Sequence, residues 1–332
     1  MRKPQHIFSK LMKNLVFTIL KILVSTVILV YVLYSIPLSK IVEPLSSAKI
    51  GYILTALLII MPVIFYLSAI QMEVLTKKQR LPIKRIAIMQ INIVTGFYNL
   101  FLPGFLSGGA IKWYKLSSTV GKPTKALTSI VYNRLFNTLT TVFIGLLFWT
   151  LDVKARSNYF IGGTLLILFL GFLSLYFLAF NRRMFQFSDL ILKRSSFIPE
   201  FIKNKLAKLF EAAKEFSDLS MQNLLYILFL SFVGHALGIV VFYLFAVSID
   251  IDISFINLGW IRSILVLLLM LPISFSGIGV REGSLVVILN NYSVLPEKAV
   301  ALSLLLLART VFFGLIGGVI EAIQIFFSKK HI

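Results

Sequence analysis

The sequence predicts an all-α polytopic membrane protein, and four observations support this fold class. Hydrophobic residues make up 58% of the 332 residues, and the mean hydropathy is +0.92. Only 14% of the residues are charged, whereas a soluble domain carries about 25%. Apolar runs recur that are long enough to cross a hydrocarbon core of about 30 Å as helices. Basic residues gather in the short segments between these runs, as in multi-pass membrane proteins.

The composition also excludes several kinds of site. The chain has no cysteine, so neither disulfides nor cysteine-ligated metals are expected. His6, His235 and His331 are too scattered for a zinc site, and no cofactor is expected. The net charge of +20 could suit nucleic acid, but the basic residues lie in short loops rather than on a soluble face. We therefore expect no nucleic-acid partner.

A single integral membrane domain, residues 1–332, is expected to contain six full transmembrane helices. The first half, 1–180, carries four of them and the second half, 220–332, carries two. A short loop, 37–50, separates the first two helices. The predicted helices cover residues 15–36, 51–70, 126–150, 160–180, 221–247 and 296–327.

Two further apolar stretches, 86–118 and 257–291, are each interrupted by proline and glycine. In the first stretch, arms of roughly 14 to 17 residues would measure roughly 21 to 26 Å as helices, which is too short to span comfortably. Broken backbone at membrane depth survives only where it is buried in protein or lines a water-filled cavity. We predict two re-entrant helical hairpins, with pairs of tilted full spans as the alternative.

The polar segment 182–219 links the two halves. Its later part places Ala213 and Phe216 on one apolar helical face, which predicts an amphipathic helix on the cytoplasmic membrane surface. A solvated linker helix is the alternative. Most of the 33 Lys and Arg residues fall on one side of the resulting topology. This bias predicts a multi-pass protein of the cell membrane with both termini in the cytoplasm.

The two breaks resemble each other in sequence. Residues 102–108 read Leu-Pro-Gly-Phe-Leu-Ser-Gly, and residues 271–277 read Leu-Pro-Ile-Ser-Phe-Ser-Gly. Four residues later each copy has a cation, Lys112 or Arg281, and the following span carries Arg134 or Arg309. The predicted hairpins enter from opposite sides of the membrane, which indicates an inverted repeat of the kind that secondary transporters use.

The breaks are also the candidate binding site. A helix that begins after a break directs free N–H groups and its positive dipole end into the cavity. Only Glu282 and Glu321 are acidic at membrane depth, so a positive cavity suited to phosphate is expected. Arg262 is expected to extend to the interface, and His235 to be packed and hydrogen-bonded. The candidate substrate-binding residues are Pro103, Gly104, Ser107, Gly108, Gly109, Lys112, Arg134, Pro272, Ser276, Gly277, Gly279, Arg281, Glu282 and Arg309.

Structural roles compete with binding at some of these positions. Arg281 and Glu282 could form a self-neutralising pair that holds the hairpin together. Arg134 and Arg309 could instead satisfy backbone carbonyls that the broken helices leave unpaired.

At these motifs the sequence resembles the membrane region of lysylphosphatidylglycerol synthases and the wider flippase-like family. The resemblance is carried by 102–104 with Gly108 and Gly109, by 277–283 (Gly-Ile-Gly-Val-Arg-Glu-Gly) and by 308–309 (Ala-Arg). It extends over nearly the whole chain. The chain departs from the family pattern at Ala110 and Asn133, where an acidic residue is common.

The resemblance implies a membrane domain that moves a phospholipid or a lipid-linked headgroup between leaflets. Since the chain stops at Ile332, we expect it to lack the soluble aminoacyl-transferase domain of the bifunctional synthases. The expected ligand is an anionic phospholipid or a polyprenyl-phosphate-linked lipid, and the expected protein is not an enzyme. The alternatives are a membrane-embedded headgroup transferase and a non-transporting envelope scaffold. Protein partners would be a second copy of the chain or an envelope-biosynthesis enzyme.

Overall fold

The protein is all-helical throughout the part that the computed structural model describes. This part comprises residues 36–101, 105–180, 216–271, 274 and 277–328, with the single positions 26, 30, 200, 204, 211, 213 and 214. The main helices are α1 (Leu38–Ser46), α2 (Ile50–Lys78, with a π-helical stretch at Thr55–Ile60), α3 (Arg85–Phe101), α4 (Phe105–Val120), α5 (Pro123–Leu151), α6 (Tyr159–Phe180), α7 (Met221–Ser248), α8 (Phe255–Met270), α9 (Val280–Asn290) and α10 (Pro296–Ser328).

Five described helices are long and apolar enough to cross a membrane: α2, α5, α6, α7 and α10. They coincide with five of the six predicted spans, and the protein is a polytopic membrane protein as the composition predicted. The remaining predicted span, 15–36, lies almost entirely outside the described residues.

Both interrupted stretches are helix pairs that break where proline and glycine predicted. α3 ends at Phe101 and α4 begins at Phe105, while α8 ends at Met270 and α9 begins at Val280. The two arms of each pair pack against one another. We predicted that each pair enters and leaves the membrane on the same side, and this stays a prediction.

The described helices recur in the same order in two parts of the chain. α2 to α5 contain 29, 17, 16 and 29 residues, and α7 to α10 contain 28, 16, 11 and 33. The two sets interlock, because α2 packs against α7, α3 packs against α10, and α8 packs against α5. The first arm of each broken pair therefore lies against the long helix that follows the other pair.

The prediction of a loop over 37–50 is wrong for most of its length, because α1 forms there. Ile41 is buried against Val300 of α10, and Leu45 packs against the main core. Apolar residues four positions apart share one helical face, so this spacing was the available signal. α1 has only nine residues, and Pro44 lies in its last turn.

The predicted apolar face of the 182–219 segment is described only at its end. Ala213 and Phe216 are both buried, and the ring of Phe216 stacks on Tyr132 of α5 at a centroid distance of 4.6 Å. The end of this segment thus packs onto the helix bundle. The rest of the predicted amphipathic helix lies largely outside the described residues.

Asp152 joins three segments at the end of the bundle that the charge bias predicts to be outside. Its buried carboxylate accepts hydrogen bonds from Asn257 Nδ2 at 2.6 Å and Trp260 Nε1 at 2.7 Å, both on α8, and from the hydroxyl of Tyr292 after α9. The backbone N–H groups of Lys154 and Ala155 donate to its other oxygen, at 2.9 and 3.1 Å. One side chain thereby holds the α5–α6 connection, the start of α8 and the α9–α10 connection together.

Replacing Gly317 with alanine is expected to lower the free energy of unfolding by about 1 to 3 kcal/mol, because it overpacks a close helix contact. A Cβ at Gly317 would lie 2.9 Å from the carbonyl carbon of Ile93 and 3.1 Å from Cα of Val94, both backbone atoms of α3. Gly163→Ala is the matched control, because a Cβ there meets no atom within 4 Å. Unfolding in detergent measures both variants. Equal stability of the two would contradict the close α3–α10 contact.

Candidate ligand-binding cavity

A cavity of about 460 Å³ lies among α3, α4, α5, α7 and α8, at the first break in the helices. Its size is within the range of small-molecule sites. The wall combines two cations, amides and hydroxyls with an apolar patch from α8. The lining residues are Thr95, Asn99, Gly108, Gly109, Lys112, Ile130, Asn133, Arg134, Asn137, Thr138, Thr141, His235, Val266, Leu269 and Met270.

The N-terminal part of α4 forms one wall of the cavity. A Cβ at Gly108 would collide with the amide of Asn99, so the absence of a side chain lets α3 and α4 approach closely. A Cβ at Gly109 would lie 3.5 Å from Nη1 of Arg134, which places that guanidinium beside the backbone of α4. The first four N–H groups of a helix have no partner within the helix. The start of α4 therefore adds to the positive potential beside Arg134.

Lys112 lies one turn beyond Gly108 on α4 and also lines the cavity. Its side chain is partly buried and makes no hydrogen bond or ion pair with any described residue. An ammonium group at this depth is costly unless an anion or polar groups compensate for its lost hydration. Lys112 thus provides a positive group to which an anionic ligand in the cavity can bind.

A network of neutral amides borders the same cavity. Nδ2 of Asn137 donates to the carbonyl oxygen and to Oδ1 of Asn133, at 2.8 and 3.0 Å, and to Oε1 of Gln71 at 3.1 Å. Ser231 of α7 donates to Oδ1 of Asn137 at 3.0 Å. These bonds connect α2, α5 and α7 and fix the direction of the Asn133 amide. The polar wall is therefore held in place without a charged side chain.

His235 joins this network to Arg262 of α8. Nη1 of Arg262 lies 3.4 Å from Nδ1 of His235, and Oγ1 of Thr141 lies 3.1 Å from Nε2. A guanidinium can only donate, so Nδ1 accepts and Nε2 carries the proton that is donated to Thr141. Thr141 in turn donates to the carbonyl oxygen of Asn137 at 2.9 Å. This pattern requires a neutral His235, packed and hydrogen-bonded as the sequence predicted.

The expectation that Arg262 extends to the membrane interface is wrong. Its guanidinium lies directly over Gly238 of α7, where any Cβ would collide with it. Arg262 is one turn before Val266 on the cavity-facing side of α8, so it adds positive charge behind His235. The glycine on α7 makes room for the guanidinium of the next helix, α8.

At the second break the carboxylate of Glu282 neutralises the neighbouring cation Arg281 and caps the helix that follows. Oε2 of Glu282 accepts a hydrogen bond from the N–H of Gly279 at 2.6 Å, which caps the start of α9. Oε1 of Glu282 accepts from Nη2 of Arg281 at 3.2 Å and from the hydroxyl of Ser303 at 2.5 Å. Both charged side chains are almost fully buried. This geometry matches the alternative of a self-neutralising structural pair.

Two glycines make the second break possible. Gly277 and Gly279 have φ angles of +80° and +82°, a region that side chains other than glycine rarely occupy. A Cβ at Gly277 would lie 2.6 Å from Cδ2 of Leu269, and Leu269 lines the cavity. The second break therefore lies behind the cavity wall, one side chain away from the ligand space.

The remaining charges at membrane depth differ in how they are compensated. Lys115 donates to Glu321 at 2.5 Å, and the hydroxyl of Tyr98 donates to the same carboxylate at 2.9 Å. Arg309 lies within electrostatic range of Arg262 and of Arg281, and makes no hydrogen bond or ion pair with a described residue. Within the described ranges, no three His, Asp or Glu side chains are placed to hold a metal ion.

The structure brings together only part of the predicted site. Gly108, Gly109, Lys112 and Arg134 line one cavity. The side chains of Arg281 and Glu282 form the separate buried network described above, and Arg309 is not a lining residue. The backbone of Ser107 is part of α4. Four predicted residues fall outside the described ranges: Pro103, Gly104, Pro272 and Ser276.

Several lining residues were not among the predicted site residues. Asn133, Asn137 and Thr141 recur every four residues along α5, so they form a polar stripe on one face of that helix. This spacing was visible in the sequence and could have identified the stripe. Asn99, by contrast, becomes part of the wall only because Gly108 allows α4 to approach it.

Comparison with known proteins agrees with the motifs from which the resemblance was drawn. The family model described as the lysylphosphatidylglycerol synthase TM region matches residues 18–318. No curated protein and no solved structure gives a match. The match includes every helix that lines the cavity and both breaks, so the chain belongs to the lysylphosphatidylglycerol synthase transmembrane-region family.

Proposed function

We propose that this protein is a lipid translocase that moves the phosphate-bearing headgroup of an anionic lipid between the two leaflets. The observation that carries the proposal is Lys112, a cation without a counter-charge among the described residues, in a cavity at the start of a broken helix. Arg134 and the positive end of the α4 helix dipole add to the same positive region. A phosphate would supply the counter-charge that no described residue offers to Lys112.

The contrast between the two breaks supports this assignment. At the second break Glu282 occupies the anion position, because its carboxylate binds both the N–H of Gly279 and Arg281. At the first break no carboxylate of a described residue lines the cavity, and Trp113 follows the cation Lys112. The first break is thus the one where an anion from outside the protein can bind.

Acyl chains remain in the bilayer in this proposal. Removing them from hydrocarbon would cost about 0.8 kcal/mol for each CH₂ group, which would exceed the gain from a few headgroup contacts. Only the headgroup enters the cavity, whose volume of about 460 Å³ suits a group of that size. Family membership supports a role in lipid-related envelope processes.

Replacing Lys112 with methionine is expected to slow headgroup movement at least tenfold, roughly the effect of losing one hydrogen bond to a charged group. The measurement is leaflet-resolved movement of acyl-labelled phosphatidylglycerol in vesicles that contain the purified protein. Lys40→Met is the matched control, because Lys40 is exposed on α1 and far from the cavity in sequence. We expect this control to move lipid at the unmodified rate.

The same vesicles separate the alternatives. Movement no faster than in protein-free vesicles, for phosphatidylglycerol and for a polyprenyl-phosphate sugar, would contradict translocation and favour a scaffold. A chemically changed headgroup without leaflet exchange would favour a transferase. Equal rates for the unmodified protein and Lys112→Met would remove the cavity from the mechanism.

A further inference from the structure

We infer that the cavity accepts a phosphate joined to a neutral, hydroxyl-bearing group and rejects headgroups that carry an amine. This inference rests on the proposed function for its biological meaning, but it concerns binding and can be measured without transport. It depends on which charges and which neutral polar groups face the ligand space.

None of the Asp and Glu residues that the structure describes lines the cavity. Glu282 is bound to Arg281 behind the wall, and Glu321 is bound to Lys115. The others are on α1, near the C-terminal end of α2, in the connections after α5 and α7, in the first turn of α10, and in the linker segment 182–219.

An ammonium group would therefore enter a site whose charged groups, among the described residues, are all positive. Lys112 and Arg134 line the cavity, and Arg262 lies directly behind His235. Like charges at close range repel strongly where water is scarce. A zwitterionic or aminoacylated headgroup would therefore bind more weakly than an anionic headgroup without an amine, because the cations of the cavity repel its ammonium group.

Neutral polar groups around the phosphate position favour hydroxyls. Thr95 and Thr138 donate their hydroxyl protons to carbonyl oxygens of their own helices, at 2.7 and 2.9 Å, so their oxygens remain able to accept. Amide groups of Asn99 and Asn133 also line the cavity. Amides and hydroxyls of this kind pair well with a glycerol or sugar group, which both donates and accepts.

The first measurement is binding in neutral detergent. Dioctanoyl phosphatidylglycerol and dioctanoyl phosphatidylethanolamine are titrated separately, and the rise in unfolding temperature gives each affinity. We expect phosphatidylglycerol to bind about tenfold more tightly or better, as one unfavourable charge contact predicts. Equal affinity of the two lipids, or tighter binding of phosphatidylethanolamine, would overturn the inference.

Asn133→Asp tests the same point from the protein side. Aspartate has nearly the same shape and keeps an oxygen that can accept from Asn137, so the amide network remains. We expect the preference for phosphatidylglycerol over phosphatidylethanolamine to fall at least about tenfold, because a carboxylate now faces the cavity. Asn291→Asp, exposed beyond α9, adds the same charge elsewhere and should leave the preference unchanged.

Two further probes identify the source of the phosphate. Glycerol 3-phosphate carries the same phosphate and hydroxyl groups as the phosphatidylglycerol headgroup but has no acyl chains. A short-chain isoprenyl phosphate sugar carries a phosphate and hydroxyl groups on a different kind of lipid. If either probe binds, and the Lys112→Met variant binds it more weakly, the result supports the inference and shows which source of phosphate the cavity takes. If Asn133→Asp and Asn291→Asp alter the lipid preference equally, the cavity does not select headgroups. Absence of leaflet exchange alongside selective binding would contradict the proposed translocation and leave the inference standing.

Discussion

Replacing Glu282 with alanine is expected to lower the free energy of unfolding by about 3 to 5 kcal/mol, the usual cost of breaking a buried ion pair. The variant leaves Arg281 buried without its counter-charge and removes the cap from the N–H of Gly279. It also removes the carboxylate to which Ser303 donates. Unfolding in mixed micelles, followed by tryptophan fluorescence, measures the change.

Two further variants separate charge from capping. Glu282→Gln can still accept from Gly279 but leaves Arg281 uncompensated, so we expect an intermediate loss of stability. The double variant Arg281→Met with Glu282→Gln removes both charges and should recover part of that loss, since a neutral pair carries no desolvation cost. A loss below about 0.5 kcal/mol for Glu282→Ala would be a surface-like effect and would contradict the buried network.

Replacing Asp152 with alanine is expected to cost about 3 kcal/mol of unfolding free energy, because hydrogen bonds to a buried carboxylate are strong and their donors stay behind. Trp260 and Asn257 would both lose this acceptor at the start of α8. Asp252→Ala is the control, since Asp252 is exposed in a nearby connection. Similar losses for the two variants would mean that Asp152 does not hold the three segments together.

The contribution of Asp152 should also depend on pH. Burial by itself raises the pKa of Asp152, but hydrogen bonds from Tyr292, Asn257, Ala155 and Trp260 outweigh it and hold the pKa below its ordinary value. A group whose pKa is lower in the folded state stabilises the fold above its unfolded pKa of about 3.9. The stability difference between the unmodified protein and Asp152→Asn should therefore shrink as the pH falls below about 4. An unchanged difference at low pH would contradict this ionisation.

Most of the helices were predictable because each signal is local. The apolar lengths of α5, α7 and α10 exceed what a membrane crossing needs, whatever lies beside them. Proline and glycine placed both breaks, because their backbone restrictions act within a few residues. α1 was missed because it is short, and its burial depends on Val300 of the last helix.

The site was predictable only in part. Lys112 and Arg134 were identified from their offset to the first break, and both line the cavity. Arg281 has the same offset at the second break, yet Glu282 and Ser303 close that position from inside. By their sequence similarity, the two breaks would be expected to have equivalent roles. A single carboxylate next to one cation makes them different.

The sequence by itself determined the all-helical membrane fold, the positions of the breaks and the excess of positive charge at membrane depth. These follow from hydropathy, length and residue type along the chain. Only the tertiary structure decided that a cavity borders the start of α4 and that the cation after the second break is paired with Glu282. That outcome depends on side-chain contacts between neighbouring helices: Gly108 allows α4 to approach Asn99, Gly238 allows Arg262 to approach α7, and Ser303 completes the network around Glu282. Such contacts are set by how helices turn and approach each other, which local periodicity does not specify.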